Sequence, residues 1–295
     1  MHNRVSPHSP YSRLAGVGGA LTSALQTLHF RPGCDAWDFP GRSRLPPEAR
    51  FCHTLGLLLK TLIAIALSVA AVSAQLPQRL SLRYTVEWRL ITAGWARLDY
   101  DAQNTARVHL ESQGFVSRLY RVNDNYLAVL DQALCTSTVS MQAEEGSRKR
   151  ETLITFDKER KRIRYLEKDL VKNQVLLDKA MVSGGCVNDI IGGLMRLRTL
   201  RLEPGQTLSL PLSDGKRLAT VKVESEAKED LKTPAGTFAV TRYLVNVFDG
   251  VLYNRKGTLQ IWITNDERRW PVQIRARLPF YIGSITLQLE KEEKP

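Results

Sequence analysis

The chain has 295 residues, 24% of them charged and 43% hydrophobic, and a formal net charge of +12. That balance excludes a disordered polyelectrolyte and a chain embedded throughout in a membrane. The first 74 residues hold seven Lys or Arg and three acids, so the rest keeps +8, a basic surface suited to anionic partners such as lipid headgroups.

Residues 1–54 are rich in Pro, Gly, Ser and Arg and show no sustained period, which reads as a disordered segment translated upstream of the real start. Residues 55–74, LGLLLKTLIAIALSVAAVSA, read as a signal peptide. The uncharged run Thr61 to Ala74 is 14 residues long, short of the about 20 a helix needs to span a bilayer. Val72 and Ala74 suit the −3 and −1 positions of a signal peptidase, so cleavage is expected after Ala74, with export to the periplasm. An uncleaved anchor is the alternative. Residues 75–295 are expected to form one β-rich mature domain with no transmembrane span.

Period-2 alternation dominates that domain. Leu80, Leu82, Tyr84, Val86 and Trp88 alternate with polar residues, and a turn at Thr92-Ala93-Gly94 leads to Ala96, Leu98 and Tyr100. Val108 and Leu110 continue the pattern, followed by Val139, Met141 and Ala143. Leu153–Phe156 and Ile163–Leu166 flank a polar hairpin turn at Asp157–Lys161. Leu208, Leu210 and Leu212 run to a hairpin signal at Asp214-Gly215, with Val221 and Val223 beyond it. Strands are also expected over Phe238–Phe248, Leu259–Ile263, Val272–Leu278 and Ile285–Leu289.

One segment has helical spacing: Val187, Ile190, Ile191, Leu194 and Leu197 recur, with Asp189 near the start and Arg196, Arg198 and Arg201 toward the end, where cations suit the helix dipole. Gly192 and Gly193 weaken it by roughly 1 kcal/mol each relative to Ala, so it depends on packing, and they let it lie close on a sheet. About ten or eleven strands and one central helix argue against β-α-β units. They predict a mainly β fold, a single curved antiparallel sheet forming a half-barrel or open barrel.

Chemistry-bearing residues are few. His109 is the one histidine after residue 74, and it sits in an alternating strand without a partner motif, which disfavours a His-rich metal site. No nucleophile elbow, phosphate loop or metalloprotease motif follows the leader, so no enzyme activity, metal or cofactor is expected. Basic residues are scattered without interleaved aromatics, so nucleic acid is not an expected partner. Cys135 and Cys186 form an even pair in an exported chain, and a disulfide between them is expected; two buried thiols are the alternative. Trp88, Trp95, Val187, Ile191, Leu194, Phe238 and Trp262 are the candidates for lining an apolar ligand cavity. For the tryptophans, a place in the sheet core is the alternative.

Several motifs together resemble the DUF3108 family of exported bacterial proteins. They are Cys135, Cys186-Val187-Asn188-Asp189, Glu203-Pro204-Gly205, Thr233-Pro234-Ala235-Gly236-Thr237-Phe238, Trp262-Ile263-Thr264-Asn265-Asp266, Pro271-Val272 and Gly283-Ser284-Ile285. Trp270, just ahead of Pro271-Val272, departs from the family pattern. The resemblance implies an architecture like the LolA and LolB type of periplasmic half-barrel, with an apolar concave face and no catalytic site. Its motif turns are Pro234, Gly236, Asp266, Pro271 and Gly283. Gly236 suits a turn needing positive φ, and Pro271 suits the first residue of a strand. The expected function is a periplasmic binding or carrier protein for a lipid, acyl chain or other apolar envelope component. The alternative is a structural or assembly factor that binds another envelope protein or a glycan.

Overall fold

The computed structural model describes residues 79–279 and 282–293. The upstream segment 1–54, the signal peptide 55–74 and the cleavage point after Ala74 lie outside the described residues. Fourteen strands follow one another: β1 (Leu80–Trp88), β2 (Ile91–Tyr100), β3 (Thr105–Ser112), β4 (Val122–Leu130), β5 (Thr136–Glu145), β6 (Arg148–Asp157), β7 (Arg162–Asp169), β8 (Gln174–Val182), β9 (Thr207–Ser213), β10 (Leu218–Thr233), β11 (Gly236–Val245), β12 (Thr258–Thr264), β13 (Pro271–Arg277) and β14 (Ser284–Glu292). A short helix α1 (Gly114–Leu119) precedes β4, and α2 (Ile190–Arg198) lies between β8 and β9.

All fourteen strands make one antiparallel sheet in the order β8-β7-β6-β5-β4-β3-β2-β1-β14-β13-β12-β11-β10-β9. It is two meanders, one ascending from β1 to β8 and one from β9 to β14, joined where β1 pairs with β14. The sheet is not closed into a barrel, and β8 and β9 are its edges. The mainly β class and the single open sheet agree with the alternation read from the sequence, because one face of most strands is buried. Leu82, for instance, is buried opposite Leu98, while Arg83 and Arg97 pair on the other face.

Three details differ from expectation. Fourteen strands form rather than about ten or eleven, and β4 and β8 coincide with no segment read as a strand from the sequence. The short helix α1 is also additional. The first hairpin turns at Arg89-Leu90, both at positive φ (49° and 69°), and not at Thr92–Gly94, which lie inside β2 beside a bulge at Val86/Glu87.

The sheet curls strongly. The β9–β10 turn dips onto the opposite end of the concave face, where a Cβ added at Gly215 would meet the side chains of Tyr165 in β7 and Ile154 in β6. Lys179 of β8 donates to the Lys216 carbonyl at 2.9 Å across the same seam. Helix α2 lies within the curl. A side chain at Gly192 would collide with Thr136 and Leu130, so glycine is what lets the helix approach β4 and β5.

Both ends of α2 are fixed. The buried Asp189 carboxylate caps it, accepting from the backbone N–H of Ile191 (2.8 Å) and Gly192 (3.0 Å), and it also accepts from Thr136 Oγ1 (2.7 Å) and Tyr126 Oη (2.6 Å). The Cys135–Cys186 disulfide, with Cα atoms 5.1 Å apart, ties the lead-in of the helix to the start of β5. It closes a loop of 51 residues, which loop-closure entropy makes worth about 4 kcal/mol. At the other end the buried Arg198 donates to the carbonyls of Arg269 (2.8 Å) and Arg268 (3.0 Å). Arg269 answers with bonds to the carbonyls of Arg198 (3.2 Å) and Leu200 (2.6 Å). Burial brings the Arg198 guanidinium down to about 10. Leu194, Met195 and Leu197 complete the contact, joining a buried core to which every strand except β8 contributes.

Candidate functional site

The two halves of the concave face end differently. On the side of β1, β2 and β9–β14, the inward residues include Leu82, Tyr84, Leu98, Tyr243, Ile261, Ile263 and Leu289, all buried, while α2 bridges the face, with Gly192 against Leu130 and Thr136 and Gly193 against Leu212 of β9. On the side of β3–β7 a cavity of about 450 Å³ stays open. Its floor is Val108 and Leu110 of β3, Asp124 and Tyr126 of β4, Val139 and Met141 of β5, Thr152 and Ile154 of β6, and Tyr165 of β7. Ile190 and Ile191 at the start of α2, the turn residues Ser213, Asp214 and Lys216, and Tyr253 form the opposite wall. The volume falls within the about 300–1,000 Å³ typical of small-molecule sites, and an apolar lining with a few polar groups is the usual composition.

Strand alternation supplies this floor. In β4, Asp124, Tyr126, Ala128 and Leu130 point inward, facing Leu110, Val108 and Ala106 of β3 and Ala143, Met141 and Val139 of β5. The Tyr126 hydroxyl reaches Asp189, so the floor is bonded directly to the helix cap. Burial, with the Asp189 carboxylate beside it, pushes the Tyr126 phenol well above its ordinary range. Burial and the neighbouring Asp214 and Asp189 push Tyr253 up to about 12. These phenols stay protonated, and that of Tyr126 donates to Asp189.

Polar groups collect at one end. Asp124 is 9% exposed, and one carboxylate oxygen accepts from the Glu144 N–H at 3.1 Å; the other has no hydrogen-bond partner among the described residues. Burial, reinforced by the nearby Glu145, raises its carboxyl to about 6. Across the floor, Glu167 accepts from Arg150 Nη1 (2.8 Å), Tyr165 Oη (2.8 Å) and Lys216 Nζ (3.2 Å). Burial opposes its ionisation, but those partners hold the Glu167 carboxyl below its usual range. The Lys216 ammonium also lies 4.6 Å from the centre of the Tyr165 ring.

Of the residues selected from sequence as cavity lining, Ile191 lines it. Leu194 is buried in α2 against the filled half. Val187 is buried beside the disulfide, its carbonyl accepting from Thr136 N–H. Trp88 packs at the margin of the filled half, donating to the Ile282 carbonyl at 2.7 Å. Trp262 points away from the concave face, since Ile261 and Ile263 on either side of it point in, and its Nε1 donates to Glu229 at 2.6 Å. Trp95 is likewise on the convex face, flanked by the Arg83 guanidinium at 4.4 Å and the His109 ring at 4.7 Å. Phe238, half-buried next to the β10–β11 turn, does not reach the cavity either. The large aromatic residues fill sheet surfaces, while medium-sized side chains leave room for the cavity. Asp124, Tyr126 and Lys216 were not foreseen, although the inward phase of β4 is readable from Tyr126, Ala128 and Leu130 once that strand is recognised.

The motif turns sit at strand ends on the filled side. Pro234 is exposed in the two-residue turn between β10 and β11, and Gly236 follows it at φ 130°. Asp266 accepts from Thr264 Oγ1 (2.6 Å) and Arg268 Nε (2.7 Å). Pro271 begins β13, and its carbonyl takes the Tyr84 hydroxyl at 2.8 Å. Gly283 sits at φ 85° before β14. Trp270 is buried, with the Arg268 guanidinium 4.1 Å over its ring. Among the described residues no group of three or more His, Cys, Asp or Glu is placed to hold a metal ion, and no helix is long and apolar enough to cross a membrane.

The family model described as "Protein of unknown function (DUF3108)" matches residues 83–290. The chain belongs to the DUF3108 family. The motif resemblance is thereby borne out, and the DUF3108 match takes in the whole cavity floor and α2. No curated protein matches the chain. Among solved structures, this DUF3108 chain is similar to a β-barrel-like DUF1849-domain protein from Brucella abortus, at 8% identity and a TM-score of 0.48, covering 74% of this chain and 98% of the other. It is also similar to a DUF1089-family protein from Pseudomonas aeruginosa, at 14% identity and a TM-score of 0.35, covering 63% and 90%. A third is a protein from Bacteroides fragilis described as exported, with a YmcC-like fold, at 10% identity and a TM-score of 0.27, covering 74% and 97%.

Proposed function

We propose that this protein is a non-enzymatic binding or carrier protein of the bacterial envelope, holding an apolar ligand such as an acyl chain against β3–β7. The observation that carries this reading is the open 450 Å³ cavity in a face whose other half is filled. A domain that needed only a core would fill both halves, because an apolar void forfeits packing energy. Asp189 and the Cys135–Cys186 bridge pin the start of α2 over the cavity, so the wall formed by Ile190 and Ile191 is pre-organised. A disulfide suits an oxidising compartment. Together with the leader-like residues 55–74 it supports a periplasmic protein cleaved after Ala74.

The test is native mass spectrometry of the protein produced from the full chain and purified from the envelope fraction without detergent. A reproducible added mass that organic extraction identifies as a lipid supports the carrier reading. A bare mass that takes up no added envelope lipid points to the second reading, an assembly factor that binds another envelope protein. That reading is favoured by the uncovered edge β8, where Val175 and Val182 are 56% and 84% exposed, because such an edge can accept a strand from a partner.

A further inference from the structure

The connections of an antiparallel meander alternate between the two rims of its sheet. Those that follow β1, β3, β5 and β7 share one rim. Because Trp88 at the end of β1 pairs with Ile285 at the start of β14, those that follow β9, β11 and β13 share it too. Backbone bonds run along this rim: the Arg89 N–H donates to the Ser284 carbonyl (3.0 Å), Gln113 to Ala93 (2.8 Å), Gly146 to Arg121 (2.8 Å) and Leu170 to Lys149 (2.8 Å). Exposed apolar side chains gather on it. Leu90, 91% exposed, and Ile91 stand at the β1–β2 turn, Phe115, 66% exposed, and Leu119 on α1, and Leu170 and Val171 at the β7–β8 turn. On the opposite rim, among the described residues, the one large apolar side chain so exposed is Val182, which ends the edge strand β8.

Charge follows the same division. The exposed bases Arg118, Arg121, Lys172, Arg217, Arg255 and Lys256 stand in the connections of the apolar rim against Asp214 and Asp249, and among the described residues none of the six makes an ion pair. The short turns of the opposite rim carry acids and bases in equal number, and Asp131 there is paired with Lys158. Turn chemistry also gives way on the apolar rim. Arg89 and Leu90 both take positive φ, where a two-residue hairpin turn favours Asn-Gly. A bulky apolar residue held at positive φ and in water is disfavoured by its backbone and gains nothing from packing. The same rim is the mouth of the cavity. Asp214, Lys216 and Tyr253 line the cavity from its connections, and they also line a neighbouring hollow of about 460 Å³ that includes Arg217 and Arg255.

We propose that this rim docks on a bilayer surface rich in anionic lipid, with Leu90, Phe115, Leu119 and Val171 dipping below the headgroups and the bases lying at headgroup level. Apolar side chains gain by entering the headgroup and acyl boundary, and each nearby Lys or Arg adds attraction to anionic lipid. A protein partner fits the rim less well. The apolar tips stand on separate turns with bases between them, whereas a protein interface centres on one packed apolar patch. A fluid bilayer closes around each tip separately. The inference goes beyond the apolar-ligand reading, because it rests on the rim and holds whether or not the cavity carries an acyl chain.

The test is flotation of the protein, produced from the full chain and purified from the envelope fraction, with two kinds of vesicle, and hydrogen exchange of each mixture. One vesicle contains phosphatidylethanolamine and phosphatidylglycerol, the other phosphatidylcholine alone. The wild type should float with the anionic vesicles on the order of tenfold more strongly than with the neutral ones at low salt. Exchange should slow at 89–91, 114–121 and 170–173 and stay unchanged at 101–104 and 157–161. Leu90→Asn with Phe115→Ser should lose at least about tenfold in binding. Asn suits positive φ, so this loss should come without a drop in melting temperature. Arg118→Gln with Arg121→Gln should lose on the order of tenfold on anionic vesicles only, an effect that fades at high salt. Lys158→Gln with Lys161→Gln, on the opposite rim, should change nothing. Slowed exchange on the opposite rim, slowed exchange on neither rim, or undiminished binding by the Leu90 and Phe115 variant overturns the docking assignment. Each of those results leaves the acyl-chain reading standing, since that is read by ligand uptake without vesicles.

Discussion

The two halves of the concave face are built from the same element, an antiparallel meander with alternating apolar residues, yet one is a core and the other a cavity. The difference lies in what points inward. β1, β2 and β9–β14 contribute Leu, Ile, Val and Tyr, and α2 adds Leu194, Met195 and Leu197. β3–β7 also contribute Val139, Ile154, Ile163 and Tyr165, but among them stand the small Ala106, Ala128 and Ala143 and the polar Asp124, Thr152 and Glu167. Small side chains leave space, and ionisable ones resist being covered. The helix, fixed at both ends, spans the two halves: Arg198 and Arg269 lock its C-terminal end, while Ile190 and Ile191 at its pinned start wall the cavity.

Truncation should separate the halves most sharply. Leu289→Ala, in the filled half and fully buried, should cost about 2–5 kcal/mol in chemical denaturation, whereas Met141→Ala in the cavity floor should cost well under half of that, since it enlarges an existing space. Equal costs would mean that the halves do not differ in packing. Next in size is the helix clamp. Arg198→Met removes donors from the buried Arg269 carbonyl and the part-buried Arg268 carbonyl and should cost about 2–3 kcal/mol, with exchange protection lost first at the C-terminal turn of α2.

A smaller effect of opposite sign is expected at Asp124. Its folded-state pKa, about 6, lies above that of an unfolded aspartate, about 3.9. Between those values the folded state binds more proton than the unfolded one, so stability falls as pH rises through this window. Asp124→Asn should therefore raise the melting temperature by roughly 3 °C near pH 7.5, and the gain should vanish below about pH 4. A gain that persists at low pH would assign the effect to something other than ionisation. Smallest of all is the stability change for Thr152→Phe, within about 1 kcal/mol, because the new ring enters open volume rather than a packed core.

The filled half was legible in the sequence and the cavity largely was not, for related reasons. Strands such as β1 and β2 bury one face, so burial writes a period of two over most of their length. β4 carries Asn123, Asp124 and Asn125 in a row, which hides its alternation, and one of those residues is the carboxylate in the cavity floor. β8 is an edge with both faces largely exposed, so no inward face is marked. The local rules fail at the strand that carries the polar site and at the edge, where core packing is not what selects residues. Size misled in the choice of lining residues. Trp262 was a natural cavity candidate by volume, but its phase with Ile261 and Ile263 places it on the convex side. The disulfide and the capped helix were legible because each is local chemistry: an even cysteine pair, and Asp189 ahead of a helical period.

The central claim is that the β3–β7 half exists to be occupied. It is tested most directly by titrating a fluorescent single-chain fatty acid into the wild type and into Thr152→Phe side by side. The wild type should bind with a saturable signal and one site per chain. Thr152→Phe, folded and equally stable, should lose at least about tenfold in affinity. Undiminished binding by the filled variant would show that the ligand sits elsewhere, and no binding by either protein would show that the open half is not a lipid site.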